Sequence, residues 1–333
     1  MPSRRSIGPR TKSKARAAAD TGITESSRRL LSCVLAVAIG LLLVRASLER
    51  PQSILSMNPI HELGGLVARF AAIPLLVCVV HGAPLVKIRT VRVPDAGNAA
   101  DPATGFGAVA EEFSIGKFEI SLTEYTVFLN TVATNPAAPA HIQALYHPQM
   151  EGDTSVKGIQ RQLSNGAYGY QVISDGGRPV TYVSWFDAAR FCNWLHNGGD
   201  AAAGTETGAY TLSGASSGIL SKKPDARWWI PTENEWYKAA YYKGGAPTGY
   251  WTYPTKSDTA PDNVIDGAPN RANFYDGAFT VSGNNSEANN VLTHGGAFTG
   301  SVGPYGTFDQ AGNVWEWTDG APTTYQRITR GGS

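Results

Sequence analysis

The chain has 333 residues, of which 42% are apolar and only 17% charged, and its formal net charge is +1. With 37 Gly, 20 Pro, 8 Trp and 14 Tyr, it is no helical bundle or coiled coil, which would be rich in Ala, Glu, Lys and Leu. The near-zero charge excludes recruitment of nucleic acid by a global field, and three cysteines are too few for a dense disulfide framework.

Residues 1–29 form a basic tail, with Arg4, Arg5, Arg10, Lys12, Lys14, Arg16, Arg28 and Arg29 against only Asp20 and Glu25. So little apolar surface predicts an unpacked segment. Residues 30–83 hold two apolar stretches. Leu30 to Val44, between Arg29 and Arg45, would span roughly 22 Å as a helix against a hydrocarbon core of roughly 30 Å, which suits a short anchor or a signal-peptide core. The second, Phe70 to Val80, follows Met57 and Arg69 and precedes His81-Gly82-Ala83-Pro84. Val80 and Gly82 are small enough for a cleavage site, so a signal peptide starting at Met57 is the preferred reading. The alternative is a retained anchor at Leu30 to Val44. Both readings export the remainder, as a periplasmic, secreted or membrane-anchored protein whose membrane contact is confined to 30–83.

Residues 84–110 are punctuated by Pro94, Gly97, Pro102, Gly105 and Gly107 and read as an exposed lead-in linker. The globular part is expected over 111–333. Three helix starts follow, each a Ser or Thr with an acid three residues on: Ser121 with Glu124, Ser184 with Asp187, and Thr232 with Glu235. Such pairs satisfy backbone N–H groups reciprocally. They predict helices reaching Val132, His196 and Tyr242. In the second, Trp185, Ala188, Cys192 and Leu195 recur at helical spacing. Strands are expected at 113–120, 168–173, 180–183, 210–212 and 227–230. Beyond 243 the chain is mostly Gly, Asn, Pro, Thr and aromatics, and needs loops tied down by packing.

The most informative segment is Asp309-Gln-Ala-Gly-Asn-Val-Trp-Glu-Trp317. Asp309 and Glu316 are two carboxylates, and Gly312 permits a tight turn that aims main-chain carbonyls inward. Hard cations take such oxygen donors, and Ca²⁺ takes about 6–8 of them. Trp315 and Trp317 are expected to anchor the loop in the core. On these residues alone, two exposed acids around a buried Trp pair is at least as good a reading as a metal site.

The GNVWEW run resembles the signature of the formylglycine-generating enzyme, or sulfatase-modifying-factor, family. So do IGKFEISLTEYTVFLN, PVTYVSWFDAARFCNWL, WWIPTENEWYKAAYY, Arg271-Ala-Asn-Phe274 and the final Arg330-Gly-Gly-Ser333, in the same order. The resemblance implies an α+β fold of the C-type-lectin-like formylglycine-generating-enzyme kind, with mixed short strands, about three helices and much irregular chain. It also implies structural calcium. One site maps onto Asp309, the carbonyls of Gly312 and Val314, and Glu316. A second maps onto Asn273 and the carbonyl of Phe274, with Glu287 as its further ligand.

The family's chemistry is oxidation of a protein cysteine to formylglycine with O₂ and copper held by two thiolates, the soft ligands that suit Cu(I). Those cysteines lie beyond the R-G-G-S element. They are absent from the chain as given, so copper is implied only if such a segment exists, and the domain is expected to be incomplete at its C-terminus. Cys33 and Cys78 sit in the apolar stretches, and Cys192 reads as a small hydrophobe on a helix face. A second reading is a non-catalytic lectin-fold module for a peptide, glycan or protein partner. His141, His147 and His196 show no metal spacing. The aromatic run of Tyr237, Tyr241, Tyr242, Tyr250, Trp251 and Tyr253 reads as core and loop packing before ligand stacking.

Overall fold

The computed structural model describes residues 85–245, 249–280 and 290–332. The basic tail, both apolar stretches, Met57, Glu287 and Ser333 lie outside the described residues. The described part falls within one unit, His81–Ser333.

Three capping boxes set the long helices. In chain order the elements are β1 (Thr90–Val93), β2 (Phe113–Gly116), α1 (Leu122–Val132), α2 (Ala140–Gln143), α3 (Gln149–Gly152), β3 (Ile159–Ser164), β4 (Ala167–Val172), α4 (Trp185–His196), α5 (Glu233–Tyr241), β5 (Gly312–Trp317) and β6 (Thr329–Gly332). Ser121, Ser184 and Thr232 each accept from the backbone N–H three residues on, and Glu124, Asp187 and Glu235 each reach back to the cap's own N–H. The three expected helices therefore stand within a residue of their expected ends. The one-turn helices α2 and α3 follow Pro139 and Pro148 without side-chain caps, which leaves no capping signal in the sequence.

The main core forms where α1 meets α4. Phe128 of α1 meets Phe191 of α4 edge-on at 5.2 Å and Trp194 at 5.4 Å. Trp194, Phe128 and Leu129 are wholly buried. Of the expected stripe, Trp185 and Leu195 are buried, whereas Ala188 and Cys192 are half-buried. The rest of the buried surface of α4 comes from Phe186, Asp187, Ala189, Arg190, Phe191, Asn193 and Trp194, outside that stripe. Polar members are accommodated because each finds a partner: Arg190 Nε donates to Glu206 Oε1 at 2.8 Å, and Asn193 Nδ2 donates to the Thr205 carbonyl at 2.7 Å.

The strands make three separate antiparallel pairs: β1 with β2, β3 with β4, and β5 with β6. The expected strand at 113–120 is shortened to four residues, and its partner lies in the segment read as a linker. Val93 faces Phe113 in register and is fully buried. Residues 85–110 are thus built into the domain, with Asn98 Nδ2 donating to the Tyr250 hydroxyl at 2.8 Å and Asp101 accepting from that of Tyr237 at 2.7 Å. Pro and Gly mark turns here, and those turns return the chain to the core. The β3–β4 turn is Asn165-Gly166, both at positive φ (51° and 78°), as a two-residue hairpin turn demands.

The expected strands at 180–183, 210–212 and 227–230 do not form. Their backbones are satisfied by single backbone bonds, such as Val180 N to the Ile120 carbonyl at 2.9 Å and Leu212 N to the Glu206 carbonyl at 2.8 Å, and by side chains. Tyr210 N donates to Asn193 Oδ1 at 2.8 Å, and Ile230 N donates to the Tyr210 hydroxyl at 3.0 Å. Past α5 the described residues are irregular up to β5, as their composition predicts. The aromatic run there is packed on itself: Tyr237 meets Tyr241 at 4.6 Å and Tyr250 at 5.6 Å, and Tyr242 meets Tyr250 at 5.1 Å. Among the described residues, no helix is long and apolar enough to cross a membrane.

Candidate metal centre

The loop entering β5 delivers two acids inward. Asp309 sits at φ 61°, is buried, and its Oδ2 accepts from Gly296 N at 2.6 Å. Glu316 Oε2 accepts from the indole N–H of buried Trp236 at 2.6 Å. The expected arrangement of exposed acids around a buried Trp pair is reversed here. Trp315 is 62% exposed, and its ring lies against Gly332, where a Cβ would strike it. Trp317 is half-buried, with its indole N–H donating to the Val183 carbonyl at 2.9 Å. Strand alternation places Trp315 and Glu316 on opposite faces, and the acid takes the inner one.

A third acid joins them from the other end of the domain. Glu119 lies between β2 and α1. Phe308 N donates to the Lys117 carbonyl at 3.0 Å, and the rings of Phe118 and Phe308 stack at 5.4 Å. Those contacts hold residues 117–119 alongside 307–309. The Glu119 Oε2 atom accepts from Asn313 Nδ2 at 2.8 Å, while Oε1 is buried with no hydrogen-bond partner.

Burial is the largest influence on all three carboxyls and pushes each above its ordinary range. The charges of Asp309 and Glu316 raise Glu119 further, and that of Asp309 raises Glu316. The opposing influences are hydrogen bonds from Asn313 and the Val314 backbone to Glu119, from Trp236 to Glu316 and from Gly296 to Asp309. Among the described residues, the basic group that acts on them is His294, on Asp309. Buried carboxylates without cationic partners are costly.

Asn313 and Asn273 knit the centre together. Gly312 is held at φ 82° against Asn273, whose carbonyl oxygen a Cβ would strike. Asn313 N donates to that carbonyl at 2.7 Å, and Asn273 Nδ2 donates to Asn313 Oδ1 at 3.0 Å and to the Val291 carbonyl at 2.9 Å. Asn273 Oδ1 accepts from Thr280 N at 3.3 Å, and the Phe274 carbonyl accepts from Asn263 Nδ2 at 3.2 Å. An amide oxygen has two lone pairs, so Asn273 Oδ1 retains one for a further partner.

Of the residues singled out in the sequence, Asp309, Gly312, Val314 and Glu316 therefore share one loop and strand, and Asn273 bonds directly to that loop. Glu119 and Asn313 were missed as site residues. The signal was an acid set between Phe118 and Ile120 at the end of a strand, and an Asn after a turn glycine. Among the described residues, no three His, Cys, Asp or Glu side chains are grouped so as to hold a metal ion by themselves. A cation here would have to rely on amide and main-chain oxygens as well. The donor set is all oxygen, with one orphaned carboxylate atom, and that fits a hard cation.

Next to the acids lies a cavity of about 560 Å³, lined among others by Ile115, Glu119, Cys192, Trp229, Trp236 and Glu316. Cys192 is a free cysteine whose thiol burial pushes up to about 12. The histidines are dispersed: His141 lies 3.6 Å from Glu206, His147 stacks on Tyr182, and His196 accepts from Arg227 N.

Short antiparallel hairpins and capped helices joined by long irregular loops, with acids and amides meeting at a buried centre, define an α+β domain of the formylglycine-generating-enzyme fold. The chain belongs to the sulfatase-modifying-factor family, since the model for the "Sulfatase-modifying factor enzyme 1-like domain" matches residues 73–333. It is 27% identical over 161 residues to the mouse (Mus musculus) protein named inactive C-alpha-formylglycine-generating enzyme 2, covering 46% of this chain and 37% of that one. To the bovine (Bos taurus) protein of the same name it is 27% identical over 158 residues, covering 46% and 38%. The match thus spans well under half the length of either relative. Among solved structures it is similar to CarF, with a TM-score of 0.36 at 20% identity over 74% of this chain and 88% of that one. Treponema denticola variable protein 1 gives a TM-score of 0.36 at 17% identity over 74% and 84%.

Proposed function

We propose that these 333 residues act as an exported, calcium-stabilised domain that binds a peptide, glycan or protein partner and does not itself oxidise a cysteine. The observation that carries the non-catalytic reading is Cys192. A thiol pushed up to about 12 by burial holds almost no thiolate at neutral pH, and the thiolate is both the nucleophile and the metal ligand. Cys33 and Cys78 lie in the N-terminal apolar stretches. The names of the mouse and bovine relatives, which call them inactive, point the same way.

Calcium at the first site would be held by Asp309, Glu316 and the carbonyls of Gly312 and Val314, beside Glu119. At the second, Asn273 and the Phe274 carbonyl are the described members. The bound ion would supply the countercharge that the three acids lack. Export rests on the apolar segments within 30–83.

The non-catalytic reading is tested by incubating the chain with a cysteine-bearing sulfatase-type peptide, a copper salt, a thiol reductant and O₂. The expected mass spectrum shows no formylglycine, and conversion above that of a protein-free control overturns the reading. Calcium is tested separately. EDTA is expected to lower the melting temperature and CaCl₂ to restore it, because a ligand of the native state stabilises by about 2.7 kcal/mol at one hundred times its Kd. An unchanged melt, with no metal by elemental analysis, removes calcium from the proposal.

A further inference from the structure

Strand β2 is hydrogen-bonded along one edge. Lys117 N donates to the Arg89 carbonyl at 2.8 Å, and the register sets Val91 opposite Ile115 and Val93 opposite Phe113. Bonded partners in an antiparallel pair recur at every second residue. Phe113, Ile115 and Lys117 therefore turn their main-chain groups to β1, and Ser114 and Gly116 turn theirs the other way. Among the described residues, nothing bonds the N–H or carbonyl of Ser114 or Gly116. Both residues line the cavity of about 560 Å³. Its walls include Ala188 and Cys192, four residues apart on α4 and so on one face of it, with Trp228 and Trp229. All four are half-buried. An open strand edge beside apolar walls is what an added strand needs, with main-chain bonds to hold it and room for its alternate side chains. A lipid chain would cover the β2 edge and leave those polar groups unbonded, which is costly. The charge of the walls sets the sign of the partner. Glu119, Glu235 and Glu316 line the cavity against Arg227. Glu235 accepts from neutral donors, the Trp229 indole at 3.0 Å and Thr232 N at 2.7 Å. It lies outside the proposed calcium ligands, so its charge remains with the ion bound.

We infer that the cavity beside β2 is the docking site for an extended apolar peptide segment of another polypeptide, carrying a basic side chain and added as a strand along Ser114 and Gly116. This rests on the binding reading above and gives it a site and a partner class. The main chain of the segment bonds to Ser114 and Gly116. Its inward side chains cover the half-buried face of α4 and the two indoles, and its cation balances the carboxylates of the walls. A bound stretch of about five or six residues, the commonest strand length, is enough to span the four residues of β2.

The test titrates the full chain into fluorescent, end-blocked peptides of about six residues, read by anisotropy. In the series Val, Leu or Ile alternates with Thr, and one apolar position is replaced by Arg. Saturable binding is expected, with alkylation of Cys192 slowed in proportion to occupancy. N-methylation of one alternate set of peptide amides should weaken binding by about 5-fold or more, the worth of a single hydrogen bond, while the other set tolerates it. Ser114→Pro removes an N–H that no described residue uses, at a place where an edge strand accepts proline. It is expected to keep the melting temperature and to weaken the peptide by a similar factor. Citrulline, which keeps the shape of Arg without its charge, should bind more weakly, and equal affinity overturns the basic side chain. If Ser114→Pro fails to fold, the N-methylated series still decides. Binding that ignores both N-methylated sets, or that leaves Cys192 labelling unchanged at saturation, overturns this site while a peptide partner stands. If no peptide of the series binds, the inference falls, and the reading above retains a glycan or a folded protein as the partner.

Discussion

Gly312 and Asn313 sit side by side in the left-handed region, at φ 82° and 62°, and everything around the centre depends on that turn. A side chain at 312 meets both obstacles at once, an unfavourable φ and the Asn273 backbone. Gly312→Ala is therefore expected to destabilise the domain by about 3 kcal/mol or more, read as a lower urea midpoint at unchanged slope. The acids beside the turn give a pH signature in the calcium-stripped chain. Glu119, Asp309 and Glu316 hold protons more tightly folded than unfolded. Below about pH 4 both states are protonated and nothing is lost. As pH rises toward about 7, where burial places Glu316, the unfolded chain releases protons that the folded chain retains, so stability falls. In EDTA, the wild type should lose more stability over this range than Glu119→Gln does, in the direction set by the raised Glu119 carboxyl. A difference that stays flat from pH 4 to 7 would show that the three acids do not titrate as a buried group. With calcium present the sign should reverse, because the ion binds the deprotonated set. The sequence pointed to Asp309 and Glu316 through their loop, but not to Glu119, which is brought to them across the fold by the Phe118–Phe308 stack, the Phe308-to-Lys117 backbone bond and the Asn313 amide.

At the scale of the element, what could be read from the sequence was whatever is encoded locally. A capping box needs four consecutive residues, and all three long helices begin where one stands. Ser184→Ala removes the acceptor for Asp187 N (3.2 Å) and the donor to Asp187 Oδ2 (2.6 Å). The expected cost is about 1 kcal/mol, measured by chemical denaturation; a change within about 0.3 kcal/mol would mean that tertiary packing alone places the start of α4. The strands were less legible because a partner far along the chain decides them. Residues 180–183 look like a strand, yet Tyr182 sits at φ 58° with its hydroxyl bonded to Asp153. Residues 159–164 do form β3, although Gln160, Arg161, Gln162 and Ser164 give them little apolar character. The phase of β5 was lost in the same way. Alternation in W-E-W was plain, but which face looks inward depends on Trp236, Glu119 and the two glycines of β6.

At the scale of the whole molecule, the β1–β2 hairpin, α4, the start of α5 and β5 meet around a cavity, and Glu119, Glu316 and Cys192 all line it. The acid cluster and the thiol therefore share a wall, which makes Cys192 a reporter of that wall's closure. At pH 8, a thiol pushed up to about 12 presents roughly a thousandfold less thiolate than an ordinary cysteine near 8.5. Alkylation of Cys192, followed by mass mapping of its peptide, should be slower by at least that factor in the native chain than in urea. If calcium holds the acids in place, EDTA should speed the labelling of Cys192 before global unfolding, because unbalanced charge at Glu119 and Glu316 favours opening the wall they share with the thiol. A labelling rate in the calcium-loaded chain equal to that in urea would mean that this wall is not closed in solution. A rate indifferent to EDTA, in a chain shown to bind calcium, would separate the thiol from the proposed cation site and leave the cavity as a void of the core alone.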